Sequence, residues 1–158
     1  MPHHWLMKSE PDEVSIDDLA RAPGQLLAWT GVRNYQARNF IRDAMQPGDG
    51  VLFYHSSCAE PGIAGLAEIA GRARPDATQF DPQSPYFDAK ARVDAPRWLQ
   101  IDVRLVRKTR LLSLREMRGA PELASMQVLR RGNRLSITPV TDAEWQAVLE
   151  RLEIPCRT

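Results

Sequence analysis

The chain has 158 residues, 43% hydrophobic and 26% charged, which excludes a disordered polymer and gives one domain enough apolar material for a core. Its 21 basic and 20 acidic residues leave a net charge of +1, which excludes a grip on long duplex DNA by sheer basic excess but not a local basic pocket. No apolar run approaches the ~18–20 residues of a membrane span, the N-terminus lacks the basic start and apolar stretch of a signal peptide, and two cysteines, Cys58 and Cys156, are too few for a disulfide framework. The expectation is therefore one domain over residues 1–158, in a reducing cytoplasm.

In chain order, residues His4 to Ser9 read as a short strand closed by Glu10-Pro11-Asp12. Ser15 has the chemistry of an N-cap, with Asp17 and Asp18 in the first helical turn where the dipole favours them. After Trp29-Thr30-Gly31, the segment Asn34 to Met45 places Ala37, Phe40, Ile41 and Ala44 at helical spacing, with Asn34 as cap and Pro47-Gly48 as stop. Val51 to His55 is a compact apolar strand. Ile63 to Arg74 reads as another, and its small residues (Ala64, Gly65, Ala67) imply a bend or a close neighbour. Asp76 to Pro96 carries prolines and aspartates in turn-like order and reads as a long structured loop. Trp98 to Lys108 alternates as a half-buried strand should. Ser113 and Glu116 form one capping box, Thr141 and Glu144 another. Between them the spacing predicts a helix over Pro121 to Leu129 and a strand over Arg134 to Ile137. The last element is a helix presenting Trp145, Val148, Leu149 and Leu152 on one face. Strands mixed with short helices indicate α+β, a curled sheet or small barrel.

Four stretches hold polar groups without an evident packing role. Lys8 and Glu10 fall on one face of the first strand and Ser9 on the other, so the first two can pair beside a pocket. In Trp29-Thr30-Gly31-Val32-Arg33-Asn34-Tyr35, a loop enters a helix whose first N–H groups are free for an anion or a base edge. His55 and Ser56 end the Val51 strand. Tyr86 and Phe87 adjoin in a proline-rich loop. A Cys58/His55 nucleophilic pair lacks a third partner, and His3, His4 and His55 lack ligand spacing, so neither a catalytic nor a metal site is assigned. Phosphate loops, cofactor fingerprints and Ser-His-Asp spacings are absent. Trp5, Trp29, Tyr86, Phe87 and Trp98 sit at element ends or in loops, where aromatics suit a planar ligand.

Taken in order, Trp5-Leu6-Met7-Lys8-Ser9-Glu10-Pro11, Gly31 to Asn39, Gly48-Asp49, Phe53-Tyr54-His55-Ser56, Gly65 to Glu68, Asp81 to Asp88 and Arg134 to Val140 resemble the EVE domain family across nearly the whole chain. That resemblance implies a PUA-like pseudo-barrel, a curved mixed sheet flanked by short helices and related to YTH and ASCH domains, as in many small bacterial proteins. It implies a non-catalytic module, acting without cofactor and as a monomer, that binds nucleic acid through a modified base, a modified cytosine foremost, in DNA or RNA. Trp29, Tyr86 and Phe87, with Trp5 or Trp98, would then wall in the base. Lys8, Ser9, Glu10, Asn34, Tyr35, His55 and Ser56 would read its edge or shape the pocket, and Arg33, Arg38 and Arg134 would hold flanking phosphates. Thr30 stands where the family often has an acid, and Phe87 where it often has a second tyrosine. Two other readings stand beside this one. Lys8, Glu10 and a hydroxyl (Ser9, Ser56 or Thr30) match the set of an ASCH-like amidohydrolase acting on modified nucleosides. The aromatic loop also suits a protein-interaction module.

Overall fold

The computed structural model describes residues 3–155. Cys156 lies outside them, and Cys58 is a half-buried free thiol. Among the described residues seven strands are formed: β1 (His4–Ser9), β2 (Leu26–Trp29), β3 (Gly50–His55), β4 (Gly62–Ile69), β5 (Arg74–Pro75), β6 (Leu99–Ser113) and β7 (Ile137–Val140). They join in the order β2-β6-β4-β3-β1-β7, with β5 also on β6. All pairs are antiparallel except β1 with β3, which run parallel in the register Trp5 to Val51 and Met7 to Phe53. Four short α-helices flank the sheet: α1 (Ile16–Arg21), α2 (Tyr35–Asn39), α3 (Leu114–Arg118) and α4 (Asp142–Arg151).

The sheet buries both faces, and the period of two sorts its side chains between them. Trp5, Met7, Val51 and Phe53 point into one cluster with Ile101 and Val103. Leu6, Leu52 and Tyr54 point into the other with Leu112, Met117 and Val148. That is why β1 and β3 read as continuous apolar runs. Register shifts between Phe53 and Tyr54, Ile63 and Gly65, and Leu66 and Ala67 bend the sheet, as bulges do. The small residues of β4 have the close neighbour their size implies: a Cβ on Gly65 would lie 2.7 Å from the Ile16 side chain of α1.

The caps at Ser15, Asn34, Ser113 and Thr141 all form. At Ser113 only half of the box closes, because the Glu116 carboxylate is held by Arg110. Elsewhere packing overrides the pattern. Residues Pro121 to Leu129 form two 3₁₀ turns rather than a helix, since Leu123, Met126 and Val128 are buried at spacings of three and two. The last strand starts at Ile137, where pairing with Met7 begins, so Arg134 lies in the preceding loop. The Asn34–Met45 segment is helical, but its second turn, Phe40–Ala44, widens to π geometry. The strand expected to reach Arg74 stops at Ile69, and the one expected to end at Lys108 runs on to Ser113. β2 had no pattern to announce it: four residues without alternation, paired to Ile101–Arg104 of β6. No helix among the described residues is long and apolar enough to cross a membrane.

Candidate functional site

A cavity of about 430 Å³ opens where β1, β2 and β3 run out into loops, a size typical of ligand sites. Its inner wall is apolar: Leu27, Trp29, Phe53 and Val103. Trp29 is half-buried and meets Phe53 edge-on at 5.3 Å, which fixes its ring. Around the mouth stand Lys8, Ser9, Glu10, Glu13, Thr30, Ser56, Ser57, Tyr86, Arg134 and Ser136.

The expected pair between Lys8 and Glu10 does not form. Both line the cavity, yet neither side chain has a hydrogen-bond or ion-pair partner among the described residues. Burial pushes the half-buried Lys8 ammonium below its usual pKa, because desolvation disfavours the charge and no acid compensates. An unsatisfied cation in a cavity is a group waiting for an acceptor. The Ser9 hydroxyl is already spent on the Val14 carbonyl at 2.7 Å.

Tyr86 stands at the rim because of a buried network that residue patterns did not announce. A Cβ on Gly31, where φ is +81°, would fall 2.8 Å from the Tyr86 ring. Only glycine takes that conformation readily and lets the ring approach. Asp76, 0% exposed, accepts from Gly31 N–H at 2.8 Å, Thr78 N–H at 2.8 Å, Thr78 Oγ1 at 2.6 Å and Arg33 at 3.1 Å. Burial alone would raise its pKa, but those hydrogen bonds outweigh it and hold the carboxyl below its usual value. The Tyr86 hydroxyl donates to Glu13 across the mouth. Burial first, then that carboxylate, push the hydroxyl up to about 12.

Several expected site residues have other work. All five guanidinium N–H groups of Arg33 are engaged, by the Tyr86 carbonyl twice, the Val32 carbonyl, Asp76 and Thr78, which leaves none for a phosphate. Arg38 donates to Asn39 and the Arg97 carbonyl and covers the Tyr35 ring at 4.8 Å. His55 Nε2 accepts from Ile16 N–H at 3.1 Å and so caps α1. Asn34 caps α2. Trp98 is 6% exposed, donates to Asp88 and stacks on Tyr35 at 4.8 Å. Trp5 is buried against Phe40 and donates to Asp49. Phe87, 43% exposed, and Tyr35, 51% exposed, stand outside the cavity lining. Of the expected set, Lys8, Ser9, Glu10, Trp29, Ser56, Tyr86 and Arg134 come together; Glu13, Ser57 and Ser136 join them, brought in by chain geometry that no spacing signals.

The EVE domain model matches residues 3–151. The chain belongs to the EVE domain family. Human thymocyte nuclear protein 1 is 45% identical over 165 residues, covering 92% of this chain and 72% of that protein. Among solved structures, a hypothetical protein from Leishmania major superposes with a TM-score of 0.91 at 45% identity, covering 97% of this chain and 96% of the other. The human THYN1 protein, solved in complex with 5-methylcytosine containing DNA, gives 0.87 at 44% identity and covers 98% and 99%. A Zygosaccharomyces rouxii YTH domain shares the fold alone, at a TM-score of 0.58 and 13% identity over 99% of this chain and 88% of its own. The EVE chain described here is thus an α+β, PUA-like pseudo-barrel.

Proposed function

We propose that this EVE domain is a nucleic-acid-binding module that takes a modified base, a modified cytosine foremost, into the cavity beside Trp29. The observation that carries the reading is the cavity's composition: a fixed aromatic and aliphatic wall facing an unpartnered lysine and an unpartnered carboxylate. The solved relative with 5-methylcytosine containing DNA supports the same ligand class. A cytosine edge offers one exocyclic amine and adjacent acceptors. Lys8 would donate to the acceptors and Glu10 would receive the amine, whereas thymine or uracil would set an oxygen against Glu10. Trp29 would stack on the base, and the Leu27–Val103 wall would receive a 5-substituent. Tyr86 would close the rim and Ser56 contribute a hydroxyl, with Arg134 at the first phosphate.

Magnitudes limit what the wall can do. A buried methyl contributes about 0.8 kcal/mol, roughly fourfold in affinity. Stronger discrimination requires shape exclusion or a polar group left unpaired by the wrong base. The base must be unstacked to enter, so single strands should bind more tightly than duplex. A titration of one short strand carrying cytosine, 5-methylcytosine, 5-hydroxymethylcytosine or N6-methyladenine, as DNA and as RNA, tests the reading. It predicts tightest binding to a modified cytosine in single-stranded form; equal affinity for all four bases would contradict it.

One observation also favours a second reading, an amidohydrolase of modified nucleosides: Lys8, Glu10, Thr30 and Ser56 line the same cavity. Against it, Lys8 hydrogen-bonds none of those hydroxyls, although a lysine base must reach the proton it takes. Turnover of an N-acylated cytidine, abolished in Glu10→Gln, would establish it; binding without turnover would remove it.

A further inference from the structure

The mouth of the cavity carries charges of both signs. The turn after β1 sets Glu10, Asp12 and Glu13, with Glu10 and Glu13 in the lining. Next to the end of β1, where Lys8 N–H donates to the Ser136 carbonyl at 2.8 Å, Arg134 lines the cavity and is preceded in the same loop by Arg130 and Arg131, all three exposed. The loop is shaped without them. Asn133 donates to the Gln127 carbonyl and accepts from Leu135 N–H, and Gly132 turns the chain at φ +79°. The track continues past the loop. The turn Gln127–Leu129 packs on α3, where Arg115 and Arg118 border a shallow groove with Ala59, Glu60 and Pro61. That groove adjoins the cavity through the segment running from Ser56 to Pro61, bonded to α3 by Leu114 N–H on the Pro61 carbonyl at 2.8 Å.

Arg21, Arg33, Arg42, Arg74, Arg92, Arg97, Arg104, Arg110 and Arg151 each hold a carboxylate. Arg72 and Arg107, each on its own, and Arg115, Arg118, Arg130, Arg131 and Arg134 have no hydrogen-bond or ion-pair partner among the described residues. The last five fall on two neighbouring segments, the 130–134 loop and α3. Glu60 and the Arg110-bound Glu116 are acids within that stretch.

We infer that this arginine track is the backbone-binding surface of the domain and that the nucleic-acid strand leaves the cavity on this side only, crossing the 130–134 loop toward α3. The inference rests on the base-binding reading given above and adds to it the path and polarity of the strand. Planar guanidiniums suit phosphate oxygens, and the acidic turn Glu10–Glu13 repels a strand that would cross it. Because phosphate contacts position a strand without reading it, the track sets affinity and direction while the cavity sets base preference.

The test uses the full chain and 12-nucleotide single-stranded DNA carrying one 5-methylcytosine, at the 5′ end in one strand and the 3′ end in another, titrated at several salt concentrations. The double variant Arg130→Gln/Arg131→Gln is compared with Arg107→Gln, an exposed and unpartnered arginine on β6. Each lost phosphate contact removes about 0.7 from the log–log salt slope, so the double variant should lose about 1.4 and bind on the order of tenfold more weakly near 0.1 M salt. The loss should fall mainly on one of the two strands, with the ratio of 5-methylcytosine to cytosine affinity and the affinity for free 5-methylcytidine unchanged. Arg107→Gln should match the wild type. Unchanged affinity and slope in the double variant, or an equal effect from Arg107→Gln, would overturn the track. Failure of the base reading looks different: modified and unmodified strands would bind the wild type equally, and the arginine comparison would still decide whether a strand crosses this surface.

Discussion

At the scale of single residues, Lys8 and Gly31 carry opposite kinds of strain. Lys8 keeps a half-buried charge without a partner, a cost accepted where a ligand is to supply the acceptor. Replacing it by Met, similar in length and uncharged, should raise the melting temperature of the free protein while weakening strand binding. A fall in both would mean that Lys8 supports the fold rather than the ligand. Gly31 has the reverse logic. Gly31→Ala forces φ near +81° on a residue with a Cβ and drives that atom into the Tyr86 ring. We expect a loss of about 1–2 kcal/mol, roughly 2–8 °C in melting temperature, with weaker binding as Tyr86 leaves the rim. Combining it with Tyr86→Ala should restore part of the stability and none of the binding. A wild-type melting temperature in Gly31→Ala would show that the close approach is not needed.

At the scale of elements, α1 is tied to the sheet by a side chain whose protonation matters. His55 at the end of β3 accepts from the first N–H of α1, which only a neutral ring can do. Burial lowers its pKa below 6.5, with Asp17 pulling it up and Lys108 pushing it down. The folded value therefore lies under the unfolded one, and on acidification the unfolded chain takes up the proton first. The stabilisation is complete above about pH 6.5, declines as pH falls toward the folded pKa, and is fully lost below it. His4, stacked on Trp145 at 4.2 Å and also lowered mainly by burial, adds a fall of the same sign. His55→Gln keeps an acceptor at every pH and should flatten part of the drop in melting temperature below pH 6.5; an unchanged pH profile would remove His55 from the account.

The same scale shows what could be read from the chain and what could not. Where one element answers to its own residues, the pattern sufficed: β1, β3 and α4 follow from apolar runs, a capping box and one apolar face. Residues Pro121 to Leu129 and β2 answer to distant partners, α4 and β7 for the first and the β6 edge for the second, and a local period carries no trace of those. At the site, Trp29, Lys8 and Glu10 were legible because a tryptophan before glycine and charges at a strand end lack a packing reason. Arg33 was misleading on the same ground. Its reason was the carboxylate of Asp76, forty-three residues away, and nothing in the spacing joins them.

For the molecule as a whole, an overall charge of +1 conceals an arrangement in which carboxylates hold Arg21, Arg33, Arg42, Arg74, Arg92, Arg97, Arg104, Arg110 and Arg151, while the arginines of the 130–134 loop and of α3 are unpaired. Long-range steering by net charge is then weak, and on the proposed reading affinity comes from the base pocket plus a short phosphate track. The central claim is that the modified base enters the cavity beside Trp29. Intermolecular NMR contacts from the 5-methyl protons of a 5-methylcytosine-containing single strand to the protein test it most directly. The account predicts contacts to Trp29 and to the aliphatic protons of Leu27 and Val103. Contacts to the exposed rings of Tyr35 or Phe87 instead, with the cavity resonances unshifted in the bound state, would contradict it.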